Sequence, residues 1–246
     1  MKKDCNNSKF RKHGILFSIL GQKRKRHAVH RSYSGMHSCQ CERLVCLRDP
    51  ETTCTTAFMV LMKTFHFMKN LPSFQHLPVN DHLILLHNHW VPLFILGLAQ
   101  EGFSFEVQDF LAASILRNIL LNSPERNHRY LPTLAEVNNL KSFLKTLWSL
   151  DPSIKEYVYI KGAILFNPGV PGLQSSAVIA EHHEELERAL LPVNVTGHPR
   201  DQHRFTDILT TASSLQTEAQ SLVTELFIRP ITGQIHLQQL FNDVSQ

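Results

Sequence analysis

From about residue 55 onward, apolar residues recur every three to four positions, and breaks rich in proline cut the pattern into helix-length pieces. Phe58, Leu61, Phe65 and Met68 step by 3, 4 and 3, and Val137, Leu140, Leu144 and Leu147 do the same. Leu215, Ala219, Leu222 and Leu226 step by 4, 3 and 4. Ile179, Leu186 and Leu190 form a stripe through EHHEELERAL, whose other face is charged. Each spacing puts its residues on one face of an α-helix, which must find an apolar neighbour. The breaks fall at Pro72, Pro78, Ser123-Pro124, Asp151-Pro152, Asn167-Pro168-Gly169 and Gly197-His198-Pro199. At the fourth, Asp151 is expected as a helix cap with Pro152 in the first turn. Only Phe103–Val107 alternates apolar with polar as a strand does. The expectation is an all-α domain with one small β element.

Charge divides the chain differently. Residues 1–48 hold 12 Lys/Arg against 2 Asp/Glu, about +10, while the remainder is about −6. A basic region, 1–54, is therefore expected ahead of a mildly acidic helical body, 55–246. Within the basic region, Lys23-Arg24-Lys25-Arg26 reads first as a solvated segment, next as a nuclear-import patch and last as a nucleic-acid contact. Just before it, Leu16, Ile19 and Leu20 share one turn of a helix face with charge on either side. A turn that short is unstable alone in water, so its apolar face needs a partner.

Several function classes lack their parts. Phosphate-binding glycine loops and the G-x-S-x-G elbow are absent. His183-Glu184 opens like a zinc-protease helix, but Glu187 stands where the second His is required, so the pair reads as an exposed helix face. Cys39, Cys41, Cys46 and Cys54 lack the paired C-x-x-C knuckles of structural zinc. No enzyme, metal or cofactor is expected. Five cysteines and no export signal point to reduced thiols and an unglycosylated Asn194-Val195-Thr196. No apolar run reaches the roughly 20 residues of a spanning helix, WVPLFILGLA at 90–99 being of core-helix length, so no membrane is expected.

Residues 67–86, FMKNLPSFQHLPVNDHLILL, carry the most specific signal. One helix ends near Leu71-Pro72, a connector carries Phe74 and Leu77, and a second helix opens at Asn80 or Asp81 and runs to Trp90. The order resembles the signature of nuclear-receptor ligand-binding domains, with Phe67, Lys69, Phe74, Leu77, Asp81, Leu85 and Leu86 in register. Met68 stands in place of an Ala and His82 in place of a Gln. FSFEV, KEYVYIKGAILFNPGVPGL at 155–173 and RFTDILTTASSLQ at 204–216 continue the resemblance in order. With SILRNILL at 114–121, and too few cysteines for two zinc fingers, the chain resembles in particular the orphan members that lack a DNA-binding domain.

That resemblance implies a three-layer antiparallel helical sandwich with a small β-turn element. It also implies a partner mode: receptor domains present an apolar groove to a short helix with apolar residues at i, i+3 and i+4, whose two ends are held by a Lys and an acidic residue. Leu16, Ile19 and Leu20 supply such a face, and Leu116, Ile119 and Leu120 supply a second. Taken alone either LxxIL run reads as core, as Leu140–Leu144 does; its basic setting argues otherwise for the first and the family pattern for the second. The chain's own groove would have Lys69 as clamp, His87 as a weaker second basic residue, and Leu240, Phe241 and Asp243 in the C-terminal helix. Asp for Glu at 243 and Ser at 245 imply a degraded activation surface. Lys69 also reads as an ordinary helix-end lysine.

The function implied is a transcriptional corepressor that binds agonist-activated nuclear receptors, competes with coactivators and recruits corepressors. It would not bind DNA itself, would act in the nucleus and also the cytoplasm, and could form a heterodimer. The alternative is a ligand-regulated sensor of an apolar small molecule. Bulky Phe58, Phe65 and Phe67 argue against spare interior volume, and core is the first assignment for each.

Overall fold

A computed structural model of the chain describes residues 43–111, 130–197, 207 and 219–232. All of them belong to one unit, residues 38–246. The order of elements is β1 (Arg43–Leu47), α1 (Pro50–Lys69), the single turn α2 (Pro72–Gln75), α3 (Val79–Gln100) and β2 (Val107–Leu111). Then come α4 (Leu134–Leu150), α5 (Ile154–Leu165) and α6 (Ser176–Gly197). The last is a near-continuous run of α7 (Ala219–Val223), a π turn (Thr224–Ile228) and α8 (Arg229–Thr232).

Local chemistry explains the boundaries. Helix α1 starts where the Asp49 carboxylate accepts from Thr52 N–H, with Pro50 in the first turn, and buries Cys54, Ala57, Leu61, Phe65 and Met68 along one stripe. Helix α4 opens with a capping box between Thr133 and Glu136, and α5 with another between Ser153 and Glu156. The cap of α5 is thus Ser153, not Asp151. Asp151 instead ends α4 in a left-handed conformation (φ 45°), and only after it and Pro152 can the next helix begin. Each box satisfies two otherwise orphaned N–H groups and contributes about 1 kcal/mol.

Helix α3 is apolar nearly all round because it lies at the centre, packed on α1, α4 and α5, while α5 packs in turn on α6. The result is the layered helical sandwich. By length and composition α3 could cross a membrane, but 72% of its most apolar window is buried inside the protein, as befits a core helix. It lies tight against α1 at Gly97, where an added Cβ would be 2.8 Å from Val60 Cγ1. The Trp148 indole N–H donates to Ala99 O at 3.0 Å and ties α4 to the end of α3.

The β element departs from expectation. Phe103 and Phe105 are buried and Ser104 and Glu106 exposed, so the alternation is real, but these residues are extended chain without a ladder. Pairing begins at Val107, opposite Leu47, and runs antiparallel to Leu111 opposite Arg43. The partner strand RLVCL lies in the basic region and was not expected. Its signal was the burial-ready pair Leu44-Val45 followed by Leu47.

Candidate functional site

The last turn of α1, the turn α2 and the first turns of α3 form one connected ledge. Lys69 ends α1 and is exposed, where the helix dipole favours a cation. Its carbonyl accepts from Gln75 Nε2 at 2.9 Å, which folds α2 against the helix end. Phe74, buried, stacks on the His82 ring with centroids 4.4 Å apart, and His82 Nε2–H donates to the Phe74 carbonyl. This double contact joins α2 to α3 and gives a role to the histidine that replaces the family's Gln. On α3, Val79, Leu83 and His87 follow at i, i+4 and i+8. Val79 is 60% exposed, Leu83 half-buried and His87 exposed. Leu77, Leu85 and Leu86 point into the core.

Lys69 and His87 are both exposed, the first at the end of α1 and the second on α3. Leu240, Phe241 and Asp243 lie outside the described residues, as do Leu16, Ile19, Leu20, Leu116, Ile119, Leu120 and Lys23, Arg24, Lys25 and Arg26.

Asp81 has a use the sequence did not disclose. Rather than opening its own helix, which starts at Val79, it is fully buried and accepts from Gln174 N–H at 2.9 Å and Ser175 N–H at 2.8 Å. Those amides immediately precede α6, so the carboxylate of one helix anchors the start of another.

Two further polar groups are buried in the body, His89 and Lys161. His89 is 2% exposed, neither ring nitrogen has a hydrogen-bond partner among the described residues, and burial pushes its pKa down to about 4. Lys161 on α5 donates to Gln100 Oε1 at 2.7 Å and lies 5.6 Å from the Phe67 ring centroid. Burial lowers its pKa to about 8, opposed by Glu101 nearby. Position 89 could have been found: a His at core spacing after Leu85 and Leu86 and before Leu93 falls on a buried face. Nothing local marks Lys161.

His183 is less exposed than expected. Its ring meets Ala163 O at 3.0 Å and Glu187 Oε1 at 3.4 Å, so it links α6 to α5. Cys54 is buried, its thiol faces Leu226 O at 3.5 Å in the π turn, and burial raises its pKa to about 11. Phe65 is buried, and Phe58 and Phe67 pack half-buried against the core. Phe94, Phe103 and Phe105 pack around Phe227, with ring centroids 5.0 to 6.4 Å apart.

The family profile described as the ligand-binding domain of nuclear hormone receptor matches residues 47–231. This chain belongs to that family. It is 42% identical to human nuclear receptor subfamily 0 group B member 2 over 237 residues, covering 94% of this chain and 91% of the relative. Nuclear receptor subfamily 0 group B member 1 of Sus scrofa is 33% identical, across 96% of this chain and 55% of its own length. Among solved structures, the Ultraspiracle ligand-binding domain of Drosophila melanogaster shares the fold. Its TM-score is 0.55 at 21% identity, over 85% of this chain and 92% of that one. The family is one of transcriptional regulators, and the orphan-type resemblance read from the sequence agrees with the subfamily 0 relatives.

Proposed function

We propose that the chain is a transcriptional corepressor acting on other nuclear receptors. The helices carrying Leu16, Ile19 and Leu20 and Leu116, Ile119 and Leu120 dock in the activation groove of an agonist-bound receptor domain. There they displace coactivators, and this chain then recruits corepressors. No DNA contact is required. The observation that carries the reading is the pair of LxxIL faces in a chain of receptor family. A receptor groove recognises three apolar side chains on one face of a short helix, and both segments offer them at i, i+3 and i+4. The similarity to nuclear receptor subfamily 0 group B member 2 along nearly the whole chain supports it. Lys23, Arg24, Lys25 and Arg26 would direct nuclear import, with a cytoplasmic fraction before import.

The chain's own activation surface, built by Lys69, His87, Leu240, Phe241 and Asp243, would serve poorly for ordinary coactivators. Asp243 reaches one methylene less than the usual Glu. For a ligand-regulated sensor, the alternative, buried Phe65 and half-buried Phe58 and Phe67 on α1 argue against spare interior volume, so the corepressor reading is favoured.

The test is a pulldown of agonist-bound receptor domains by the full chain carrying Leu16→Ala, Leu20→Ala, Leu116→Ala and Leu120→Ala. Capture should fall at least about tenfold, since removing two anchors from each helix costs more than 1.4 kcal/mol. Undiminished capture by a folded quadruple variant refutes the docking mechanism.

A further inference from the structure

Three helices meet at the amine of Lys161. The side chain rises from α5, is 9% exposed, and donates to Gln100 Oε1 at the end of α3 at 2.7 Å. Its Nζ lies 5.6 Å from the centroid of the half-buried Phe67 ring on α1. A buried ammonium ordinarily takes a carboxylate as partner. Among the described residues Lys161 forms no ion pair, and nearby Glu101 is held instead by Lys63 at 2.8 Å. A neutral oxygen and an aromatic face replace only part of the lost hydration, so the uncharged amine is favoured here. Burial brings the pKa down from 10.5 to about 8, with Glu101 opposing the shift. At about pH 7.5 roughly a quarter of the side chain is then free amine, against about one part in a thousand for an ordinary lysine.

We propose that Lys161 is an acylation site that takes a short acyl group directly from a thioester. The Nζ lone pair attacks the thioester carbonyl, and the C–S bond breaks as the N–C bond forms. The thiol leaves with the proton that the nitrogen releases. The resulting amide carries no charge, so the cost of holding a desolvated cation disappears. Its remaining N–H keeps the bond to Gln100 Oε1, and a short acyl chain suits the apolar face of Phe67. Reaction with carbon dioxide would instead leave a buried carbamate anion with no counter-ion, since Lys63 is already paired with Glu101. The side chains of Lys63 and Glu101 are 60% and 44% exposed, so small electrophiles approach the seam from that rim. The site lies apart from the LxxIL helices, and its failure would leave the corepressor reading untouched.

The full chain is incubated with S-acetyl-N-acetylcysteamine from about pH 6 to about pH 10, and acetylation at each lysine is read by peptide mass spectrometry. At about pH 7.5 Lys161 should react about tenfold faster than the exposed Lys145. The larger excess of free amine is offset in part because a weaker base is a weaker nucleophile. The rate at Lys161 should reach half its plateau near pH 8. Gln100→Glu sets a carboxylate against Nζ and, with circular dichroism confirming the fold, should bring that rate down to the Lys145 level or below. Labelling of Lys161 no faster than Lys145 overturns the proposal, as does an undiminished rate in Gln100→Glu. So does an advantage that survives unfolding in urea, because it would owe nothing to the seam.

Discussion

The start and the middle of α3 treat buried polarity in opposite ways. In the first turns Asp81 is entirely buried, yet both carboxylate oxygens are hydrogen-bonded to the backbone ahead of α6. At the midpoint His89 is nearly as buried, and its ring has no hydrogen-bond partner among the described residues. The first half also exposes Val79 and His87, while from Trp90 to Ala99 every residue is buried. A paired buried charge fastens separate elements together. An unpaired buried ring contributes packing only, and it does so at the expense of its own hydration. The exposed residues of α3 lie in its first turns, ahead of His89, where polarity is either satisfied or solvated.

Removing the Asp81 carboxylate should therefore be the most damaging single change. Asp81→Ala leaves two amides without their acceptor and frees the start of α6, and should lower urea stability by about 3 kcal/mol. A loss below 1 kcal/mol would mean that water replaces the carboxylate and that the clasp is unimportant.

His89 should reveal itself through pH. The folded state holds its pKa near 4, against 6.5 for the ordinary group, so the unfolded chain takes up the proton first as pH falls. Stability is complete above about pH 6.5 and is lost progressively down to about 4, by roughly 3 kcal/mol in all for this residue. In His89→Leu the stability curve should be flatter by that amount across the same interval. An unchanged curve would show that the ring finds a partner when charged.

Next in size is the crossing of α1 and α3. Gly97→Leu must displace Val60 at a contact already too close for a Cβ, and chemical denaturation should show a loss of about 2 kcal/mol. The smallest effect belongs to the ledge. Lys69→Ala, at an exposed helix end, should change stability by less than about 0.5 kcal/mol. A large loss there would make Lys69 a structural residue and not a solvated helix end.

Much of this was legible from residue order. The stripe Val137, Leu140, Leu144 and Leu147 is buried as its spacing requires, and so are Ala219, Leu222 and Leu226. The register of Phe74, Leu77, Leu85 and Leu86 marked both family and core. The start of α5 was misread because Asp-Pro and Ser-x-x-Glu both look like caps. The left-handed turn at Asp151 decides between them, and a dihedral angle leaves no trace in composition. FSFEV alternates like a strand because alternation reports two-sided burial, whereas a ladder needs a partner at the right register. That partner lies some sixty residues away.

Periodicity, caps and the order of residue types determined by themselves that this chain is a helical receptor-type domain, because those signals are local and repeat every turn. Tertiary structure alone decided what Asp81, His89 and Lys161 do. The partners of Asp81 lie more than ninety residues away, and Lys161 reaches back sixty-one to Gln100. Whether a buried polar group is satisfied depends on which distant atoms the fold brings within 3 Å of it, and residue order does not carry that distance.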